Sequence, residues 1–354
     1  MKKLLFFVLA ICLGSFLYAQ QLHLTQFATL NHNDSITAYY GPSAFISAHD
    51  AAVHGDIVTL SPGTFTATNI TKAITIRGAG MMKDTIANTL PTIIQGDFFS
   101  ISVNNVPENH LFIEGIYFTG RLLYQTGFSP HFKKCRFNTI SRHAWGEGFA
   151  LPLFTNCLIS NWDGSSLANN AMFVNCIILN VMTGSEWTYY WSDGWGGFWN
   201  NNEQYQCGQS SDVFYNCIIN IPPNFIGYKR DIVNCITYTT STTQSIGTNV
   251  YNTIGITDST NYYSVSNDHN NSNVYGFENI FKTFRGTYTD GENFELTEAA
   301  ATTYLGTDGT QVGIYGGSAV YNPKSTDMRI RKYSVGFYSD ENGQLKITTE
   351  LEDE

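Results

Sequence analysis

Charge is what this sequence has least of. Only 14% of its 354 residues are Asp, Glu, Lys or Arg, against about 25% in an average soluble protein. Disordered chains combine high charge with few aromatics, whereas 14% of this chain is Phe, Trp or Tyr, so disorder is excluded. Charge-rich helical bundles and coiled coils are excluded with it. Basic residues are the scarcer sign, 19 against 29 acidic, for a formal net charge of −10. Partners held by their phosphates are neutralised by Lys and Arg, so nucleic acid is not an expected partner. Metal-ligand spacings are missing too: no Cys-x-x-Cys or paired His occurs. Beyond the first nineteen residues no apolar run is long enough to span a membrane. What the chain has in quantity is Gly (31), Tyr (21) and Phe (24). That composition suits an all-β protein.

Met1-Lys2-Lys3, the apolar run Leu4 to Leu17 and then Tyr18-Ala19-Gln20 read as a secretory signal peptide. The expectation is an exported protein, periplasmic, cell-surface or extracellular, with residues 1–19 removed. Leu9-Ala10-Ile11-Cys12 is a poor lipoprotein signal, so a soluble rather than an anchored product is expected.

An internal repeat follows. Phe132-Lys133-Lys134-Cys135, Phe154-Thr155-Asn156-Cys157, Phe173-Val174-Asn175-Cys176, Phe214-Tyr215-Asn216-Cys217 and Ile232-Val233-Asn234-Cys235 align, each followed by two further, mostly apolar, residues. Phe112-Ile113-Glu114-Gly115-Ile116-Tyr117 aligns with them if Gly115 takes the Cys position, and the series extends to Gly78, Gly96 and Gly255. The period is roughly twenty residues. Apolar residues at i, i+3 and i+5 fit two short strands joined by a one-residue corner at i+2. Asn156, Asn175, Asn216 and Asn234 hold that corner, where Asn tolerates the left-handed region and its amide can bond the copy stacked on it. In this alignment Glu114 and Lys134 occupy the corner in adjacent coils as an opposite-charge pair.

A coil rising one strand spacing, about 4.8 Å, per repeat is a parallel β-helix. These residues resemble the right-handed parallel β-helix of the pectate-lyase-like superfamily. The entry segment Phe45-Ile46 to Ala52, His54 to Phe65 and Ile74 to Gly80 resembles the opening of that family, and Gly306 to Gly309 with Val312 to Gly317 resembles a closing segment. The likeness covers roughly residues 42–317. It implies an all-β right-handed parallel β-helix, a solenoid of about ten coils. Residues 20–56 form an N-terminal segment whose helix, Ser43 to Val53 stopped by Gly55, covers the first coil. Residues 57–317 form the solenoid, with an insertion at 182–211. Residues 318–354 form a β-hairpin tail around Asn342-Gly343, a strong hairpin turn. The six Cys that remain are expected as inert buried thiols rather than disulfides, and the chain is expected to be a monomer.

Chemistry is sought in the insertion. Glu186 to Trp199 holds Trp187, Tyr190, Trp191, Trp195 and Trp199, whose faces can stack on sugars. The same residues can instead pack on themselves or form a protein interface. Lyases of the resembled family need a basic residue to take a proton beside a uronate, often with Ca²⁺ on Asp or Glu; its hydrolases need paired acids. The candidates are Arg230 or Lys229 as base or clamp, and Asp193 or Asp212 as acid or Ca²⁺ ligand. By register Arg230 also stacks over Asp212, which makes an inter-coil ion pair the competing reading. Arg142-His143 with Glu147 is a further polar cluster. The Asn-Thr-Asp, Asp-Asp, Gly-His-Gly and Trp-x-Asp-His boxes of characterised members are absent. The leading expectation is recognition of an extracellular polysaccharide along the helix flank, with cleavage open. The alternative is a non-catalytic cell-surface or adhesin-like solenoid.

Overall fold

A computed structural model describes residues 26–84, 89–103, 110–124, 129–142, 151–163, 171–182, 190–192, 198–200, 212–221, 231–239, 244–246, 249–258, 263–323, 329–339 and 345–352. The chain winds into a parallel β-solenoid of about seven turns. Among the described residues eight left-handed corners bound them: Gly115, Lys134, Asn156, Asn175, Asn216, Asn234, Asn252 and Asn270. The about ten coils expected is therefore too many for the regular part. Ile57–Leu60 and Thr75–Arg77, with Gly63–Thr66 and Thr92–Gln95, extend the two sheets without such corners.

Among the described residues one sheet has eleven strands and the other twelve. In the first, Phe112–Glu114, His131–Lys133, Leu153–Thr155, Met172–Val174, Val213–Tyr215, Asp231–Val233 and Val250–Tyr251 stack in parallel. Their central residues point inward, so identical side chains fall one rung apart. The Phe132 and Phe154 rings stack at 5.1 Å, Phe154 and Phe173 at 4.8 Å, and Phe173 and Phe214 at 4.9 Å. After each corner the chain enters the second sheet, whose strands include Ile116–Tyr124, Arg136–Arg142, Leu158–Asp163, Ile177–Ile178, Ile218–Asn220, Ile236–Tyr238 and Ile254–Thr257.

Cys135, Cys157, Cys176, Cys217 and Cys235 are all free and wholly buried, as the inert-thiol expectation requires. Each thiol donates to the carbonyl two residues before it and to a carbonyl one coil back, for example Cys217 to Tyr215 O (3.2 Å) and Phe173 O (3.5 Å). Burial pushes the Cys135 thiol up to about 12 and lifts Cys157 and Cys217 well above the ordinary thiol range.

The alignment fails at its two ends by small slips. Ile113 pairs with Phe132 and Glu114 with Lys133, so Gly115 is the corner and Ile116 takes the Cys position. The ion pair is accordingly Glu114–Lys133 at 3.2 Å, and Glu114 does not occupy a corner. At the other end the corner is Asn252 and Thr253, not Gly255, takes the Cys position. Thr253 Oγ1 donates to Tyr251 O (3.0 Å) and Ile232 O (3.4 Å), the two bonds a Cys makes.

The N-terminal end is closed by the antiparallel strands Phe27–His32 and Ser35–Tyr40 and by the helix Ala44–Ala51, which buries Ala44, Phe45, Ala48 and His49. Such covers keep an open rung from templating aggregation. At the far end the last strand of the stacked sheets is Ser272–Tyr275. Residues 277–321 do not add coils up to 317. They fold back along the outside of the second sheet, where Phe277, Phe281, Phe284, Phe294, Ile314 and Tyr321 bury the outward stripe Leu158, Ile177, Ile218, Ile236 and Ile254.

The returning segment also occupies the corner. Asn175 Nδ2 donates to Ile314 O (2.8 Å) and Gly316 O (2.7 Å), Asn156 Nδ2 to Val320 O (3.3 Å), and Asn234 Oδ1 accepts from Thr307 N (3.0 Å). The amides of Asn156, Asn175 and Asn234 thus hold a strap, whereas at the far end Asn270 Nδ2 donates to Asn252 Oδ1 (3.2 Å), the bond between stacked corner copies that the repeat predicts. The tail is a hairpin of Arg329–Ser339 and Leu345–Glu352, paired antiparallel as the Asn-Gly signal predicts.

Candidate functional site

Each central coil has a third face. In Ile116–Tyr124, Arg136–Arg142 and Leu158–Asp163 the strand continues past the second sheet's covered stripe, with a register shift between Phe137 and Thr139. Leu122, Ile140, Trp162 and Val181 form its inward row and are wholly buried. The positions of opposite parity are mixed: Arg121, Thr139 and Asn161 pair in one row, and Leu123, Ser141, Asp163 and Met182 in the other.

The bend into this face carries an amide ladder. Asn138 Nδ2 donates to Thr119 O (3.1 Å), Asn161 Nδ2 to Asn138 O (2.9 Å), and Asn180 Nδ2 to Asn161 Oδ1 (3.0 Å). Of these only the Asn180–Asn161 bond joins two amides, as Asn270 and Asn252 do at the first corner. Sequence reading missed Arg121, Thr139, Asn161 and Asp163. The signal was a polar residue four after Cys (Thr139, Asn161, Asn180), masked by variation in the other coils.

The connections leaving this side all run to the first sheet. Residues 143–150, 164–170, 183–211 and 222–230 precede Leu153–Thr155, Met172–Val174, Val213–Tyr215 and Asp231–Val233 respectively. Connectivity alone puts their roots along one edge, opposite the strapped corner. Arg142 ends the strand from which the first of them departs. His143, Glu147, Trp187, Asp193, Trp195, Cys207, Lys229 and Arg230 belong to these connections and lie outside the described residues, as do residues 1–25.

Within the longest connection two strands are described. Tyr190–Ser192 and Phe198–Asn200 pair antiparallel, with Trp191 opposite Trp199, Tyr190 opposite Asn200 and Ser192 opposite Phe198. Directly opposed residues share a face and successive residues alternate. Positions 191 and 199 therefore share one face of the ribbon, and position 190 belongs to the other. The register brings together two of the five aromatic candidates and separates a third.

Asp212 is placed differently from a solvent-facing acid. It is wholly buried where the insertion rejoins the first sheet. Its Oδ2 accepts from Trp162 Nε1 (3.1 Å) and its Oδ1 from Ala171 N (3.1 Å). Trp162 in turn sits edge-on to Phe173 at 5.0 Å. This carboxylate ties three successive coils together behind the third face. Among the described residues no cluster of His, Cys, Asp and Glu is placed to hold a metal ion, and no helix is long and apolar enough to cross a membrane.

No family model, curated protein or solved structure matches the chain.

Proposed function

We propose that the protein is exported and recognises an extracellular polysaccharide across its third face and adjoining loop edge, in the manner of the pectate-lyase-like β-helix proteins that its repeat resembles. The observation that carries this is the pairing of Trp191 with Trp199 on a ribbon rooted at that edge. Two indole positions on one face offer a stacking platform for sugar rings. Polar residues at the row positions 121, 139, 141 and 163 beside it suit a hydroxyl-rich ligand. The inward engagement of Asp212 supports recognition over cleavage, since it takes one of the candidate acids out of the reacting set. Cleavage would rest on Arg230, Lys229 and Asp193, with Ca²⁺ neutralising a uronate if the ligand is acidic.

A glycan array on the mature chain and on Trp191→Ala/Trp199→Ala tests the platform. The expected result is loss of the bound glycan signal in the variant, and unchanged binding would refute it. Release of unsaturated uronate, followed by absorbance with and without Ca²⁺, separates binding from lyase action.

A further inference from the structure

Over three central rungs the outer face of the first sheet is apolar and partly open, and its rows run on into His131 and Asp231 on one side and Thr155 and Lys133 on the other. Its register stacks Leu153, Met172 and Val213 in one row and Val174, Tyr215 and Val233 in the next. Met172 is 42% exposed and Tyr215 37%. The equivalent stripe on the second sheet is buried by the chain's own residues 277–321. A contiguous apolar face of this kind marks a contact surface.

The C-terminal hairpin has a matching need. Its register sets Ile330 opposite Leu351, Tyr333 opposite Thr349 and Val335 opposite Ile347. The intervening pairs are Arg329 with Glu352, Lys332 with Glu350 and Ser334 with Thr348. The shift between Ile330 and Lys332 keeps position 330 on the face of 333 and 335, so one side of the ribbon is apolar and the other charged or polar. A lone two-stranded hairpin is at best marginally stable in water and needs a surface for its apolar side.

The tether joins the two. Val320 O accepts from Asn156, the corner residue directly after Leu153–Thr155 of the first sheet. From Pro323 the five residues 324–328 can span about 17 Å. The strand Leu345–Glu352 has 8 residues, about 27 Å of ribbon. The rungs from Leu153 to Val250 stack over about 19 Å at one strand spacing each. We infer that the C-terminal hairpin lays its apolar side on the outer face of the first sheet of its own chain. The tether keeps the ribbon at high effective concentration over that face.

Oxidative footprinting of Met172 and Tyr215 in the full chain tests this. Ile347→Lys places a charge on the apolar side of the hairpin, Thr348→Lys on the polar side, and Val335→Lys repeats the first change from the other strand. Met81, which is wholly buried, reports an intact solenoid in each variant. The expected result is severalfold faster oxidation of Met172 and Tyr215 in Ile347→Lys and Val335→Lys, with Thr348→Lys unchanged and Met81 protected throughout. Equal rates in all four chains would overturn the inference. Protection that fades on dilution would also overturn it, because a second copy rather than the tethered hairpin would then cover the face.

Discussion

The Sγ atom of Cys235 accepts the backbone N–H of Cys217 at 3.3 Å, one rung away. Cys157 N–H meets Cys176 Sγ in the same way (3.4 Å), and Cys235 N–H meets Thr253 Oγ1 (3.2 Å). The series ends with Thr253 N–H on Asn271 Oδ1 (3.0 Å). The left-handed corner takes the next amide off the backbone ladder, and a buried amide without an acceptor is costly. A thiol that both donates and accepts meets that demand with the least polarity. This is why Cys recurs along the stack as free thiols.

Replacing Cys235 with isosteric pairs separates the acceptor from its bulk. Cys235→Thr keeps an acceptor, as Thr253 does naturally, whereas Cys235→Val removes it and orphans Cys217 N–H. The Val variant is expected to be less stable than the Thr variant by about 1–3 kcal/mol. Urea unfolding followed by circular dichroism compares them, and equal midpoints would refute the acceptor role.

The raised thiols give a pH dependence. An unfolded Cys ionises near its ordinary 9.0, while folded Cys135 holds its proton up to about 12. The unfolded state is thus the first to lose protons, so the contribution is complete below pH 9 and drains away as pH rises towards 12. Thermal melts under reducing conditions are expected to show a midpoint falling through that window. In Cys135→Thr the fall is expected to be shallower. The same thiols are expected to resist maleimide at pH 8 until the chain unfolds.

Asp212 offers a direct comparison of structural and catalytic roles. Asp212→Ala leaves Trp162 Nε1–H and Ala171 N–H buried without an acceptor. A loss of about 3 kcal/mol or more is expected. Trp162 fluorescence, quenched or shifted as its indole loses that partner, is the companion readout. A variant of unchanged stability would contradict the buried geometry.

Gly317 tests the strap. It has φ +71, and a Cβ there would collide with Asn216 Nδ2. Gly317→Ala is expected to cost about 1–3 kcal/mol and to release the segment from the corner. Limited proteolysis is expected to cut between 305 and 323 before any rung is lost. Cleavage beginning in the rungs instead would show that the strap is not held there.

Legibility followed repetition. The Phe, Asn and Cys positions of the central coils could be read because each recurs under the same constraint. The coil of Phe112 to Tyr117 could not be registered, because it lacks Cys and offers two apolar choices, Ile113 and Phe112, a single residue apart. A slip of one residue exchanges inside for outside, and that slip is what puts Glu114 at a corner in the alignment. Thr253 was missed because its hydroxyl does the work of a thiol while looking like a surface residue. The cover formed by Phe277, Phe281 and Phe284 was illegible for a different reason. Its spacing of aromatics is as good for the inside of a coil as for its outside, and only tertiary packing decides. At the candidate site, Trp191 and Trp199 stood out by composition, but their opposition across a ribbon depends on a register no short motif encodes.

The two edges of the solenoid differ in what they tolerate. At the corner a single residue turns the chain under a strap, so a deletion or insertion there would shift every later side chain. On the opposite edge a connection can be short or can run from 183 to 211 while the rungs on either side, Met172–Val174 and Val213–Tyr215, stay in register. Closing a longer loop costs only slowly more entropy. The molecule is therefore a scaffold with a built-in grafting margin: foreign recognition loops placed between Met182 and Asp212 are expected to leave the stack beneath them unchanged.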